Sequence, residues 1–391
     1  MTPRLPIFVE LCAGSAAVTL RLIGGVNARP PISYCGSKRG YAAAILGVLG
    51  LRAGQGAGAV CLVEAGPWAQ AWRLLTTPQG CRDVAKIIRS WIHCPVCGSD
   101  GKPGCVECNG TGKQDARRLW ERLRSEPVPE GEAEAVGAWM ALQGGQYANY
   151  SVWPDQSQWS GAAGSLVLCP NRDPASKVHP GTWPEYIVEA LASSLRWPPV
   201  QVVEGDVCGV EPREVARWAI LQQWSVANKG PDAGFDGPGR DRGSWDNPGW
   251  DKLLERPRIA QKFDAVPSWP PTVISNAPVE QVQPGTLPPG TVVYFDPPYF
   301  GDGYRKITGY KHTLSRDQVV LVAKRWSDAG ATVAVSECVP IRELEGWHFV
   351  DISGERVGQK RTFSSEKSEW LTVNKEPKWT PSVQAGLDFN R

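Results

Sequence analysis

The chain has 391 residues, which is long enough for one full α/β core together with an inserted or appended module. Charged residues make up 21% of it and the formal net charge is +2, so the overall charge requires no polyanionic partner and any nucleic-acid surface must be local. Its 42 glycines and 34 prolines stay below the level that signals disorder and predict long, ordered loops.

The N-terminal segment and the cysteines indicate the compartment. Residues 1–7 lack the apolar stretch of a secretory signal, and the chain contains no run of about 18 apolar residues. We therefore expect a cytoplasmic protein of a bacterium or of a phage-infected cell. In a reducing compartment its eleven cysteines are not expected to form a disulfide framework, so a tight cluster of them predicts metal ligands.

Two strand–turn–helix units follow one another in the first part of the chain. Residues 7–11 form an apolar run that ends at a turn around Gly14, and a helical segment follows. Residues 59–63 predict a buried strand that ends at Glu64, again before a helical segment. Alternating units of this kind predict an α/β fold with a doubly wound, mostly parallel sheet.

Two C-x-x-C pairs form a cysteine cluster between predicted helices at 82–91 and 114–125. Four thiolates with this spacing can close a tetrahedron around zinc, and a site without an open ligand position is structural. The cluster therefore predicts a zinc knuckle, inserted at residues 92–113. Its predicted ligands are Cys94, Cys97, Cys105 and Cys108.

Regular periodicity weakens in the middle of the chain, where Gly, Pro, Asp and Arg are frequent. We interpret residues 146–265 as a variable region that recognises the target. This interpretation leaves residues 1–145 as a cofactor-binding part, residues 266–376 as a catalytic part and residues 377–391 as a C-terminal tail.

Three candidate sites lie at the ends of predicted strands, namely residues 10–14, Glu64 and residues 296–299. In an open parallel sheet, ligands bind at the carboxyl ends of the strands, where loops converge. Gly14 would let backbone amides approach a ligand closely, and an acidic residue at the end of the next strand can accept both hydroxyls of a ribose. Together these features predict a nucleoside-cofactor pocket, although Ala13-Gly14-Ser15 alone is also compatible with an ordinary strand-to-helix turn.

An apolar strand at residues 291–295 ends at the tetrad Asp296-Pro297-Pro298-Tyr299. Consecutive prolines stiffen the backbone and remove two amide donors, which leaves carbonyl groups beside a carboxylate and an aromatic ring. A carboxylate and a prolyl carbonyl can each accept one hydrogen of an aromatic amine, so that the nitrogen lone pair points at an electrophile. The tetrad therefore predicts a site for a planar amine, with a proline-stiffened loop as the alternative.

Longer stretches around these residues resemble the alpha-group, Dam-like family of DNA adenine methyltransferases. Six segments are similar to its cofactor loop, ribose-binding strand end, catalytic strand, following loop and two terminal strands, in this order: Phe8–Val18, Val63–Ala65, Val292–Tyr299, Tyr310–Ser315, Gly330–Cys338 and Arg361–Asn374. The resemblance leaves out the cysteine cluster and the variable region.

The resemblance implies a Rossmann-like methyltransferase that transfers a methyl group from S-adenosylmethionine to the exocyclic amine of adenine in double-stranded DNA. It implies that Asp296, Pro297, Pro298 and Tyr299 are catalytic, and that Tyr299 and Tyr310 bind a base rotated out of the duplex. The residues expected to contact the cofactor are Glu10, Cys12, Ala13, Gly14, Lys38, Glu64, Asn276 and Asp296.

The sequence departs from the family pattern at three positions. Ala16 stands where the family has its second loop glycine. Gly36-Ser37-Lys38 is matched to a Gly-Gly-Lys segment of the family, but here it follows the cofactor loop and does not precede it. Asn276 stands where the family usually offers an acidic residue to the adenine of the cofactor.

Two alternative functions remain compatible with the sequence. The acceptor could be another planar amine, namely cytosine in DNA, adenine in RNA or a glutamine side chain. Alternatively, the chain could be a catalytically silent DNA-binding module that keeps the cofactor fold. Asp296 favours adenine over cytosine, because cytosine enzymes of similar design more often have serine at this position.

Overall fold

The computed structural model describes thirteen parts of the chain: 5–32, 37–64, 67–91, 103, 105, 116–126, 166–169, 195–196, 212–223, 260–275, 277–298, 314–357 and 368–381. Within these parts, no helix has the length and apolar character needed to cross a membrane.

The described strands form one large sheet and one small one. In chain order they are β1 (Ile7–Leu11), β2 (Ala59–Val63), β3 (Leu166–Cys169), β4 (Leu195–Arg196), β5 (Thr272–Ser275), β6 (Gln283–Pro284), β7 (Val292–Phe295), β8 (Thr332–Glu337), β9 (His348–Asp351) and β10 (Trp370–Val373). The large sheet has eight strands in the order β3-β5-β2-β1-β7-β8-β10-β9, and β4 pairs with β6.

The large sheet is mostly parallel. Strands β5, β2, β1, β7 and β8 are parallel neighbours, whereas β3 runs antiparallel to β5 at one edge. At the other side, β10 runs antiparallel to both β8 and β9. The structure therefore confirms the prediction of an α/β fold with a mostly parallel sheet, with two reversed strands that sequence periodicity did not reveal.

The described helices are α1 (Ala17–Gly24), α2 (Ala42–Val48), α3 (Pro67–Leu75), α4 (Pro78–Ser90), α5 (Ala116–Ser125), α6 (Pro212–Gln223) and α7 (Arg316–Asp328), and a further helix ends within 260–264. Local capping explains where two of them begin. The Thr77 hydroxyl accepts a hydrogen bond from Gly80 N at 3.0 Å at the start of α4. Ser315 and Gln318 form a reciprocal capping box at the start of α7.

Apolar side chains cover both faces of the sheet. Phe8 of β1 packs in a cluster with helices α1 to α6, while its neighbours Ile7 and Val9 pack in a second cluster with α7. This alternation follows from the two-residue period of a strand. Because both faces are buried, a ligand can reach the sheet only at the ends of its strands.

The order of the parallel strands locates a crevice. From β1 the chain moves outward to β2 and then to β5, and it returns to the other side of β1 with β7 and β8. The direction of winding therefore reverses between β1 and β7. In open α/β sheets, ligands bind at such a switch point, beside the carboxyl ends of the strands.

Parts of the region 146–265 pack on this core. Strand β3 forms the edge beside β5, and α6 packs against α4 and α5. Buried Arg217 of α6 donates hydrogen bonds to the carbonyls of Leu123 at 2.6 Å and Glu126 at 2.9 Å. These bonds satisfy carbonyls at the end of α5 that have no partner within their own helix. The helices on either side of the predicted zinc knuckle are thus anchored to a helix of the region 146–265.

Candidate functional site

The turn after β1 has an uncommon backbone. Cys12, Gly14 and Ala16 have positive φ angles of 55°, 45° and 47°. Ala16 therefore adopts the left-handed conformation that a glycine would adopt readily, at a cost of roughly 1–2 kcal/mol for a residue with a Cβ atom. The chain thus forms a tight turn at Ala16, the position where the Dam-like methyltransferases that the sequence resembles have their second loop glycine.

Glu10 of β1 stabilises this turn through hydrogen bonds to the first turn of α1. It is buried, and its Oε2 atom accepts hydrogen bonds from the Thr19 amide, at 2.9 Å, and from the Thr19 hydroxyl. Ala16 has no side chain that could cap α1, so a carboxylate from β1 accepts from the Thr19 amide in the first turn instead. Burial, together with the smaller effect of the nearby Asp296 charge, raises the pKa of Glu10 to about 7 against the opposing effect of the Thr19 hydrogen bonds.

Gly14 connects the turn to the next strand and helix. Its amide donates to Oε2 of Glu64 at 2.8 Å, and its carbonyl accepts from the Trp72 indole at 2.7 Å. Trp72 is fully buried and stacks on Trp68, with 5.7 Å between ring centroids. Trp269 also packs against Trp72, in a tilted arrangement with 5.3 Å between ring centroids. Both backbone hydrogen-bonding groups of Gly14 are therefore held by side chains distant in sequence.

Asp296 lies at the end of β7, directly beside this turn. Strands β1 and β7 pair in register from Phe8 to Leu11, and the Asp296 amide donates to the Leu11 carbonyl at 3.1 Å. Oδ1 of Asp296 accepts hydrogen bonds from Lys38 Nζ at 2.7 Å and from Ser336 Oγ at 2.9 Å. The carboxylate is therefore fixed at the switch point by a cation and a hydroxyl.

Lys38 is a buried cation between two carboxylates. Its Nζ lies 2.7 Å from Asp296 and 3.9 Å from Oε1 of Glu369. Burial alone would lower the pKa of Lys38, but the charges of Asp296 and Glu369 outweigh that effect and raise it. Lys38 therefore remains an ammonium group. We predicted Lys38 as a cofactor contact. In the structure, the ion pairs described for it are with the carboxylates of Asp296 and Glu369.

Cys12 lies in the turn after β1 and is affected by several carboxylates. Burial raises the pKa of Cys12 well above its ordinary value, and the charges of Glu64, Asp296 and Glu280 raise it further. A thiol held neutral in this way is a poor nucleophile. The arrangement therefore disfavours covalent catalysis by Cys12 and indicates a negative potential at this position.

Seven predicted site residues lie together at the carboxyl edge of the sheet: Glu10, Cys12, Ala13, Gly14, Lys38, Glu64 and Asp296. Pro297 and Pro298 continue from Asp296, buried and half-buried respectively. The predictions for Asn276, Tyr299 and Tyr310 fall outside the described residues.

The zinc prediction also falls mostly outside the described residues. Of the four predicted ligands only Cys105 is described, and it is half-buried. Helix α4 ends at Ser90 and α5 begins at Ala116, on either side of the predicted knuckle. Within the described ranges, no group of His, Cys, Asp and Glu side chains is arranged to hold a metal ion. The zinc knuckle stays a prediction.

Sequence reasoning missed the side chains that support the site, in particular Trp72, Tyr294 and Ser336. Tyr294 could have been found from its spacing, because residues two apart on a strand share a face and Tyr294 precedes Asp296 by two. Ser336 and Trp72 carry no such local signal, since their contacts with Asp296 and Gly14 span 40 and 58 residues of sequence.

The fold and the site together define an α/β protein in which several carboxylates and one buried lysine gather in the crevice at the switch point of a mostly parallel sheet. No known protein family matches the chain, and no curated protein is significantly similar to it. The residues of the crevice are therefore the basis on which a function can be proposed.

Proposed function

We propose that the chain is an S-adenosylmethionine-dependent methyltransferase that acts on the exocyclic amine of adenine in double-stranded DNA. The observation that carries the proposal is the position of the Asp296 carboxylate. It lies beside the Gly14 turn at the switch point, where the Asp296 amide bonds the Leu11 carbonyl at 3.1 Å. An amine acceptor and a nucleoside cofactor would meet at this point of an open sheet.

The residues of the crevice fit the cofactor chemically. Glu64 ends the second strand, where a carboxylate can accept ribose hydroxyls. The carboxylates around Cys12 create a negative potential that favours a cationic group such as a sulfonium. When bound, S-adenosylmethionine supplies the methyl group: its carbon–sulfur bond breaks to leave a neutral thioether, a carbon–nitrogen bond forms, and the amine releases one proton to water.

The chain's own residues orient the acceptor. The Asp296 carboxylate and the Pro297 carbonyl can each accept one hydrogen of a planar amine, which favours a tetrahedral nitrogen with its lone pair directed at the methyl group. Two consecutive prolines keep competing amide donors away from this point. Because the neutral thiol of Cys12 is a poor nucleophile, the site favours direct transfer over a covalent intermediate on this residue.

The terminal strands support the same proposal. The segments Gly330–Cys338 and Arg361–Asn374 resemble the two terminal strands of the DNA adenine methyltransferases, and they contain β8 and β10. These strands pair with each other in register, from Trp370 opposite Glu337 to Val373 opposite Ala334. Two segments that are similar to the terminal strands of the family are thus paired strands of this sheet.

The test is identification of the methylated product. The chain is incubated with labelled S-adenosylmethionine and genomic DNA from a host that lacks adenine methylation, and the digested nucleosides are identified by mass spectrometry. We expect label in N6-methyladenine. RNA and a glutamine-containing peptide are assayed in parallel. Label in either of them, or in N4-methylcytosine, would show that the methyl acceptor is a planar amine other than adenine in DNA. Cofactor binding without transfer to any of them would indicate a silent DNA-binding module.

A further inference from the structure

The two oxygens of the Asp296 carboxylate have different surroundings. Oδ1 accepts from both Lys38 Nζ and Ser336 Oγ, at 2.7 and 2.9 Å. Oδ2 has no hydrogen-bond partner among the residues that the structure describes, and the side chain is 19% exposed. Among the described residues, one oxygen is therefore occupied by the protein, and the other is left to accept from an incoming amine.

A hydrogen-bonded chain of two hydroxyls ends at Oδ1. Because a carboxylate paired with an ammonium group only accepts, the single hydrogen of the Ser336 hydroxyl is donated to Asp296. The Tyr294 hydroxyl therefore donates to Ser336 Oγ, at 3.0 Å. Tyr294 and Ser336 are both fully buried. Burial raises the pKa of Tyr294 well above its ordinary value, so its hydroxyl keeps its hydrogen over the working pH range.

Both hydroxyls are carried by paired strands of the large sheet. Tyr294 is in β7 and Ser336 is in β8, and these strands pair in parallel with Tyr294 opposite Ala334. Lys38, by contrast, reaches Asp296 at the end of a flexible side chain from a short 3-10 helix at Lys38–Gly40. The ammonium group supplies charge, whereas the hydroxyls on the strands supply a fixed direction.

We propose that Ser336 and Tyr294 are positioning residues that hold Oδ1 of Asp296 and thereby turn Oδ2 toward the acceptor amine. This inference rests on the proposed methyltransferase function. A hydrogen bond to one oxygen limits rotation of the carboxylate, and the acceptor amine must be held in a near-attack geometry for efficient transfer. Without the two hydroxyls, Asp296 would still be present and still be paired with Lys38, but its orientation would be less restricted.

The first experiment compares methyl transfer by Ser336→Ala and Tyr294→Phe with that of the wild-type chain, on genomic DNA from a host that lacks adenine methylation. We expect kcat to fall by about 10-fold to 100-fold for Ser336→Ala and by less for Tyr294→Phe, with KM for S-adenosylmethionine unchanged. Tyr294→Phe removes a single oxygen atom, so it keeps the proposal testable if Ser336→Ala fails to fold. Unchanged kcat in both variants would overturn the proposal.

A control variant separates positioning from general loss of stability. Thr372 of β10 is buried, and its hydroxyl accepts from the Ile341 amide at 3.1 Å, on the opposite side of the sheet from Ser336. Thr372→Val removes a buried hydroxyl without touching the crevice, so we expect a lower Tm with unchanged kcat. A loss of kcat equal to that of Ser336→Ala would contradict a specific role for the Ser336 hydroxyl.

The second experiment does not depend on activity. The drop in Tm caused by Ser336→Ala is measured in the wild-type chain and in an Asp296→Ala background. If the hydroxyl serves Asp296, the drop should shrink by at least about half when the acceptor is absent, because the two sites are coupled. Additive shifts would overturn the proposal. If the wild-type chain transfers no methyl group, the proposed function fails, and coupled shifts would then show that the hydroxyls hold Asp296 for some other purpose.

Discussion

The ends of β1 and β7 lie side by side at the carboxyl edge of the sheet, but different interactions hold them. The turn after β1 is held through its backbone, by Trp72 and Glu64 on the two polar groups of Gly14. The end of β7 is held through a side chain, by a cation and a hydroxyl on one oxygen of Asp296. The first arrangement fixes a backbone surface, as a cofactor loop requires, and the second fixes a charged atom, as an acceptor for an amine requires.

Removing the cation should affect the β7 end most strongly. Lys38→Met leaves the buried Glu369 and the largely buried Asp296 without their shared ammonium group, and we expect it to lower the free energy of unfolding by about 3–5 kcal/mol. The control is Arg316→Met, which breaks a more exposed pair with Glu343 and should cost less than about 1 kcal/mol. Urea unfolding measures the free energy of unfolding of both variants. Equal losses would show that burial does not make the Lys38 ion pair more important for stability than the exposed pair.

The β1 end should be sensitive to pH through Glu10. Its pKa is raised by burial from 4.5 to about 7, so the folded state binds the proton more tightly than the unfolded state. The stability contributed by protonated Glu10 should therefore be present below about pH 4.5 and be lost as the pH rises toward 7, by roughly 3 kcal/mol at most.

Glu10→Gln isolates this effect, because an amide of similar shape does not titrate. The difference in free energy of unfolding, wild type minus variant, should decrease as the pH rises from about 4.5 to 7 and then stay constant. Denaturant unfolding at a series of pH values gives this difference. A difference independent of pH, or one that increases over this interval, would show that Glu10 is not a buried acid in the folded protein.

Both strand ends were located correctly from the sequence, but the side-chain contacts that hold them were not predicted. Apolar runs predicted β1, β2 and β7, because a buried strand has a local pattern that ends where polar residues begin. Lys38 was assigned to the cofactor from a motif match, whereas its contact with Asp296 depends on how α1 returns the chain to this edge. Strand β3 is a short apolar run that was not assigned because the surrounding region has weak periodicity. Its antiparallel pairing with β5 is a long-range contact that the local pattern does not indicate.

The backbone support of the β1 end can be weakened selectively at Trp72. Trp72→Phe keeps most of the ring but leaves the Gly14 carbonyl without its donor. Trp326 is a matched control, because it is also buried and its indole nitrogen has no hydrogen-bond partner within the described part of the chain. We expect Trp72→Phe to cost about 1–3 kcal/mol more than Trp326→Phe, and under the proposed function to weaken binding of S-adenosylmethionine. Equal losses of unfolding free energy in the two variants would show that the Trp72 indole hydrogen bond does not stabilise the turn.

The smallest expected effect is at Ala16, whose φ angle of 47° suits glycine. In Ala16→Gly the relief of backbone strain should offset the lost methyl group, so we expect a change in unfolding free energy within about 1 kcal/mol of zero. Ala323, which is buried in α7, provides the contrast: Ala323→Gly should cost about 1–2 kcal/mol. Thermal unfolding measures both. A larger loss at position 16 than at 323 would show that the turn is not left-handed there.

The most direct measurement of the central claim is methyl transfer by Asp296→Ala under single-turnover conditions, together with calorimetric binding of S-adenosylmethionine. The variant keeps the Gly14 turn and Glu64, so we predict that the cofactor still binds while transfer to adenine falls by at least about 100-fold. Circular dichroism verifies that the variant is folded. Transfer at the wild-type rate would contradict a role for Asp296 in holding the amine, and with it the proposed function of this crevice.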